Sequence, residues 1–397
     1  MTRWRGPRGD LLLLSLGHSV TDTYSNFLPG LIVFLTERLA LTNTLVGLLA
    51  TVVSVSGSMS QLLFGHAADR VRRHYFLVLG PVCAAIFMSL LGTAHSVPML
   101  VLFLVLGGAG IASFHPQAAV AAGTGPASRR GFALAFFVTA GSAGYSVGPL
   151  VSTWTAERFG ADRTWIAAFP GLLVALLLYL TVYRRLSAVP KGSATAAEEA
   201  APALSSTPPP PPARLPRAIL SLWAIVALRS AVSTGLVHFM PLFLQGRGAT
   251  PVYGSLAVSL FLFAGAAGGM IGGALSDRWG RRRVLVISLA ASTPLLFGLT
   301  LVPATAFLAV LVVAGLVLSA SAAVNVAMAQ EIAPERQGIA SAIVQGFAFG
   351  TGGLLAVAAG ALADRTSIGL VYQVLALLPL LTVPVALTLP ETARRKG

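Results

Sequence analysis

The chain has 397 residues, 55% of them hydrophobic and 10% charged, with a mean hydropathy of +0.81. A soluble domain carries roughly a quarter charged residues to cover its surface, so this composition excludes one. The net charge of +14 does not point to nucleic acid, because the basic residues lie between apolar stretches and form no soluble basic face.

Apolar stretches of about 20 residues span a bilayer. They recur along nearly the whole chain and predict helices at 10–36, 43–67, 74–94, 98–121, 130–156, 163–184, 217–246, 251–276, 283–302, 305–330, 338–362 and 368–389. The first follows Arg3, Arg5 and Arg8, but His18 and Asp22 interrupt it, so it reads as a span and not as a cleavable signal. Cys83 is the single cysteine and allows no internal disulfide. Between the sixth and seventh helices the composition changes: Glu198, Glu199 and the run Pro208 to Pro212 cannot build a core and read as a linker. The expected organisation is an all-α membrane protein, with a six-helix bundle over 1–184, a Pro-rich cytoplasmic linker over 185–216 and a second six-helix bundle over 217–397.

Basic residues set the orientation, because cytoplasmic loops are enriched in Lys and Arg. The loops that share a side with the termini and the linker hold 21 of the 27, clustered at 70–73, 278–283 and the two chain ends. The opposite loops hold Arg38, Arg158, Arg163, Arg247 and Arg365, and Arg229 lies inside a span. Both termini are therefore expected in the cytoplasm, and an odd number of helices would scramble the partition.

The sequence also repeats itself. Gly65, Asp69 and Arg70 recur as Gly273, Asp277 and Arg278, displaced by 208 positions. Glu157 and Arg158 recur as Asp364 and Arg365, displaced by 207, as Gly47 recurs at Gly254. An offset of six helices means two copies with the same membrane orientation. Parallel halves of this kind hold a substrate between them near mid-bilayer.

The second loop reads Gly273, Asp277, Arg278, Gly280, Arg281 and Arg282. This spacing resembles the loop signature of the major facilitator superfamily; in the first copy Val71, Arg72 and Arg73 follow without the glycine. Within that superfamily the first half is similar to efflux proteins of the fosmidomycin-resistance type. The matching strings are Gly17 to Asp22, Phe114, His115 and Pro116, and Gly144 to Pro149. The resemblance implies a transporter with twelve helices, active as a monomer in a bacterial inner membrane. Gly141, Gly144, Gly148 and Pro149 resemble the antiporter signature of exporters, although Leu150 and Val151 stand where that pattern continues with glycines. The small residues would let another helix pack close, for export or for packing alone.

The loop aspartates Asp69 and Asp277 sit beside arginines at helix ends, where a carboxylate accepting hydrogen bonds can latch a neighbouring helix. Gly65 and Gly273 would permit the contact. An ionisable group at a helix centre costs about 2.5–3.5 kcal/mol or more, so buried charges point to function. His18 and Asp22 are four apart and share a helix face. Asp22 and Arg229 each lie about 18 Å along equivalent helices at 1.5 Å per residue. Two readings of this pair compete: an ion pair broken and remade during transport, freeing Arg229 for an anionic group, or a pair that only neutralises buried charge. His115 and His18 fall in the inner half and suit proton relay; alternatively, His115 satisfies a carbonyl freed by Pro116. Tyr24, Asn26, Phe27, Asn325 and Gln345 are further candidates to line the cavity, and His238 is expected near the outer interface.

No phosphate-binding loop, zinc helix or credible nucleophile elbow occurs, so neither an enzyme nor a cofactor is expected. The expected function is proton-coupled export of a small drug or metabolite, anionic or phosphonate-like. Asp22, His18 and His115 would handle protons, and Asp22, Arg229 and His115 would hold the substrate. The rivals are an exporter of transition metals or their chelates, using His18, Asp22 and His115 as ligands, and a membrane sensor that transports nothing.

Overall fold

A computed structural model describes residues 7–70, 74–124, 127–188 and 217–392. The expected linker lies almost wholly outside the described residues, as do the side chains of Asp69, Arg70 and Gln345.

The helices are α1 (Pro7–Ser25), α2 (Phe27–Leu39), α3 (Asn43–Ser54), α4 (Gln61–Arg70), α5 (Phe76–Ser89), α6 (Val97–Ala122), α7 (Ala127–Phe159), α8 (Ala168–Leu178), α9 (Arg184–Ala188), α10 (Arg217–Gln245), α11 (Pro251–Trp279), α12 (Arg281–Gly298), α13 (Ala304–Ser319), α14 (Ser321–Ile332), α15 (Gln337–Ser341), α16 (Ala348–Arg365) and α17 (Ile368–Leu387). Broken helices stack end to end, α1 on α2, α3 on α4, α8 on α9, α13 on α14 and α15 on α16, and twelve spans result. Ten are long and apolar enough to cross a bilayer by composition alone. The first falls short because Asp10, His18 and Asp22 lower its hydropathy and Asn26 interrupts it. The ninth falls short because α12 opens on three arginines. Burying helices in lipid demands that each backbone group be paired within the helix, and the sequence supplies this at the helix starts. Thr42, Ser96, Thr250 and Ser367 each accept a hydrogen bond from the backbone N–H three residues on.

Two of the breaks are wide π turns, as is a third at Tyr179–Tyr183. A wide π turn over Val55–Met59 separates α3 from α4, and a second over Ala342–Phe347 separates α15 from α16. Such turns re-aim side chains and recur at functional sites.

The chain enters the bundle at α1, crosses to a far end, and returns with each pair of spans. Helices α1–α9 pack on one another, as do α10–α17, and the two groups meet along α3 against α16 and α7 against α11. At the far end four polar contacts tie them. Asp364 accepts hydrogen bonds from the backbone and side chains of Asn43 and Thr44, at 2.5–2.9 Å. Gln245 donates to Glu37 at 2.9 Å, Thr51 donates to the Gly353 carbonyl at 2.6 Å, and Thr153 meets Ser255 at 2.5 Å.

The repeat extends further than the sequence motifs reveal. Arg38 donates to the carbonyl of Gly92 and pairs with Asp162. Its counterpart Arg247 donates to the carbonyls of Leu299 and Thr300. In each half the same arginine staples the far end of the first span to the end of the third.

Candidate functional site

Between the halves, on the near side of the far-end seal, lies a cavity of about 410 Å³. Asp22, His115 and Tyr145 line it from the first half; Ser230, Thr234, His238 and Phe349 line it from the second. The π turn at Val55–Met59 adds Ser56, Gly57 and Ser58.

Asp22 is the centre of a three-residue cluster. His18 stands one turn before it on α1, and its Nε2 lies 3.2 Å from Asp22 Oδ2. His115 reaches across from α6, and its Nε2 lies 3.0 Å from Asp22 Oδ1. The two imidazoles sit edge to face, ring centroids 5.0 Å apart. Each is anchored at its other nitrogen: His18 Nδ1 lies 2.8 Å from the Phe137 carbonyl, and His115 Nδ1 lies 2.7 Å from the Ile111 carbonyl. The His18 ring also stacks on the Phe137 ring, centroids 4.0 Å apart. His115 thus contacts both a backbone carbonyl and the carboxylate. The carbonyl is that of Ile111, however, and not the Ala112 carbonyl that Pro116 leaves without a donor.

The proton count follows from this geometry. A neutral imidazole has one N–H and one lone pair, yet each ring here has an oxygen acceptor at both nitrogens. With two neutral rings and an ionised Asp22, lone pairs would face lone pairs. The observed contacts are all hydrogen bonds only when both rings carry two protons, or when the carboxyl itself is protonated in place of one of them.

Glycines on α7 make room for it. A Cβ at Gly141 would lie 2.4 Å from His18 Cε1 and 2.7 Å from Asp22 Oδ2, and one at Gly144 would lie 1.8 Å from the Ser19 carbonyl oxygen. Gly148 rests against α1 in the same way, on Thr23 and Asn26. The stripe Gly141, Gly144, Gly148 is the surface on which the first span lies.

The ion pair expected between Asp22 and Arg229 does not form, because the carboxylate is taken by the two histidines. Arg229 is 6% exposed and lies behind the lining residues Ser230 and Phe349; among the described residues its Nε has no hydrogen-bond partner, and its guanidinium sits 5.9 Å from the Phe349 ring centroid. A guanidinium over a ring face is attracted by the ring quadrupole, but that leaves its N–H groups unused. His238 also departs from expectation: it is buried and lines the cavity, Nδ1 on the Thr234 carbonyl 3.0 Å away, and is not interfacial.

Several candidates expected to line the cavity do not. Tyr24 is buried against the sixth span, donating to the Ala167 carbonyl and accepting from the Gly171 N–H. Asn26 donates to the Tyr145 carbonyl and so braces the break in the first span, and Phe27 is buried in the core. Asn325 is buried away from the cavity, with neither amide atom paired. Spacing along a helix gives depth but not rotation, and these four point away. The structure adds Tyr145, Ser230, Thr234 and Phe349 to the wall. The hydroxyl-rich Ser230, Ser233, Thr234 stretch beside Arg229 is the signal in the sequence that marks them.

At the near end, Arg281 gathers the second signature loop. It pairs with Asp277 at 2.6 Å and Glu331 at 3.0 Å and donates to Ser276 at 2.6 Å. Gly280 has φ +97°, and a Cβ there would lie 2.6 Å from Glu391, which accepts from the Arg281 N–H. Asp277 thus bonds within its own helix end and loop. Gly273 meets only Ala323 at ordinary distance and Gly65 meets nothing within 4 Å, so neither makes the close contact expected of them.

Comparison with known proteins agrees with this architecture. The sequence profile of the Major Facilitator Superfamily matches residues 14–255 and 222–397. The chain is 29% identical to the fosmidomycin resistance protein of Escherichia coli (strain K12), over 96% of this chain and 92% of that one. It is 27% identical, over the same shares, to the MFS-type transporter YfnC of Bacillus subtilis (strain 168). Among solved structures, the inward-open xylose transporter XylE from E. coli superposes with a TM-score of 0.74 at 15% identity, covering 99% of this chain and 98% of that one. A bacterial homologue of the lysosomal transporter Spinster does so at 0.73 and 16%, covering 98% and 95%. Twelve spans in two like halves around a shared cavity, matched along nearly the whole chain, make this a multi-pass membrane protein and a transporter, not an enzyme: it belongs to the Major Facilitator Superfamily.

Proposed function

We propose that the chain is a proton-coupled exporter of a small anionic or zwitterionic drug or metabolite, working by alternating access in a bacterial inner membrane. The termini and linker face the cytoplasm, as the concentration of arginines at that end requires. A single chain suffices, because both walls of the cavity come from it. The observation that carries the reading is the His18, Asp22, His115 cluster on the wall of a cavity sealed at one end.

In the proposed cycle, substrate enters from the cytoplasm while the far end is held shut by Asp364 and its partners. Its anionic group takes the unused N–H groups of Arg229, and its body rests on Phe349 and the hydroxyls of α10. Protons then reach the Asp22 cluster from outside once the halves rock, and their transfer inward drives export. The names of the relatives support export: a fosmidomycin resistance protein, and multidrug resistance proteins MdtG matched at 27–30% over part of the chain. Fosmidomycin resistance and the free Arg229 together favour a phosphonate-like solute.

The test is flux in proteoliposomes with and without an imposed pH gradient, across a panel of phosphonates, carboxylates and cations. The wild type should move an anionic member of the panel against its gradient only when protons flow the other way. If the Asp22→Asn and Arg229→Ala variants both transport as the wild type does, the reading is wrong.

A further inference from the structure

We propose that His18, Asp22 and His115 also form a binding site for one divalent transition-metal ion, open to the cavity. The inference goes beyond the transport reading and does not depend on it.

The ligand atoms are already gathered. His18 Nε2, His115 Nε2 and a carboxylate oxygen of Asp22 all lie within 4.8 Å of one another. Ligands about 2.0–2.2 Å from a tetrahedral ion stand roughly 3.3–3.5 Å apart. The separations of 3.2 Å from His18 Nε2 to Oδ2 and 3.0 Å from His115 Nε2 to Oδ1 end on different oxygens, so one ion requires the two imidazoles to draw together around a single carboxylate oxygen, closing a spread of up to 4.8 Å.

The second observation lies behind the ligands. Metal-bound histidines commonly donate the opposite ring N–H to a carbonyl, which fixes the tautomer and aims the remaining lone pair at the ion. Both histidines here are held in that way, by the carbonyls of Phe137 and Ile111. Neither anchor involves a long flexible side chain: both are helix backbone.

The ligand types give the third argument. Two imidazoles and one carboxylate select zinc, cobalt or nickel over magnesium or calcium. The fourth coordination position faces the cavity beside Tyr145, where a water or an anionic chelating group completes the shell.

The experiment uses full-length, tag-free protein in lipid nanodiscs, stripped with chelator and titrated with Co2+. The expected result is visible d–d absorption of four-coordinate intensity, saturating at one equivalent and displaced by Zn2+. Asp22→Asn and His115→Gln should each weaken binding by about 10–100-fold or more, given what loss of even an outer partner costs. His95→Gln, on the exposed far-end loop, should leave it unchanged. His115→Cys should retain binding and add a thiolate charge-transfer band, a signature that a merely structural histidine does not give. Absence of a saturating band, or equal affinity in the triple variant His18→Gln, Asp22→Asn, His115→Gln, overturns the proposal. Transport is not read in this assay, so its failure leaves the export reading standing, and failure of proton-driven flux leaves the metal site standing.

Discussion

The two halves around the cavity start from one plan and have become opposites. Asp22 and Arg229 occupy the same place in the repeat, 207 residues apart. In the first half the charge is fully partnered: Asp22 has an imidazole on each oxygen, and each imidazole has a carbonyl behind it. In the second half the positions that match His18 and His115 hold Ile225 and Ala322, and among the described residues the Arg229 Nε has no partner. A buried charge left unpaired in the bilayer is costly and persists where it serves a ligand. One copy of the plan holds its charge in a partnered cluster, and the other holds a charge set against an aromatic ring.

The sharpest way to break this comparison is at its charged centre. Asp22→Asn removes the charge that both imidazoles face while keeping the shape. Proton-driven export should fall by about 100-fold or more, in line with the loss of a positioned proton-transfer group. Exchange of substrate across liposomes without a gradient should survive. If gradient-driven and gradient-free flux fall together, Asp22 holds substrate and not protons.

In the second half the expected effects are smaller and run in opposite directions. Arg229→Met should raise the KM for an anionic substrate by about tenfold, since one charge-assisted hydrogen bond is worth roughly 1.5–3 kcal/mol. The same change should stabilise the empty protein by on the order of 2 kcal/mol, because it removes an unpaired charge from the membrane interior. A thermal melt in detergent reads the second effect and a flux titration the first. A variant that loses both stability and affinity would mean that Arg229 is a packing residue.

These two halves also show what the sequence can and cannot say. Helix number and the repeat are legible, because each is a matter of counting along the chain. The pairing of charges was not. Depth alone put Asp22 opposite Arg229, and nothing in the spacing said that α6 would bring His115 to the carboxylate first. Rotation about the helix axis decides such contacts, and it depends on packing: Gly141, Gly144 and Gly148 set how α1 lies on α7. Tyr24 and Asn325 were misjudged for the same reason, and so was His238, whose approach to the cavity depends on how α10 turns.

The glycine stripe sharpens the comparison at the next level. Gly141 matches Ala348 in the repeat, so the second half tolerates a methyl where the first does not. Gly141→Ala should push His18 and Asp22 apart and destabilise the protein by about 1–3 kcal/mol, the usual cost of overpacking. Ala348→Gly should change stability by less than about 1 kcal/mol, the helix propensity difference alone. Melting curves of the two variants decide it: equal losses would mean that Gly141 is not shaped around the cluster.

The smallest effect belongs to the far-end seal, where the halves again differ. Asp364 accepts four hydrogen bonds at the start of α3, and its carboxylate faces the positive end of that helix. Its counterpart Glu157 is exposed at the end of α7. Asp364→Asn keeps one acceptor and removes the charge, which should cost about 1 kcal/mol of sealing. That is roughly a fivefold shift toward far-end opening, by the relation between free energy and population. Spin labels at His95 and Arg365, with Cys83 replaced, read the separation of the halves directly. The longer distance should gain population in Asp364→Asn and not in Glu157→Gln. A shift of the same size in both would mean that general charge at the far end holds the seal, and that the cap on α3 has no special part in it.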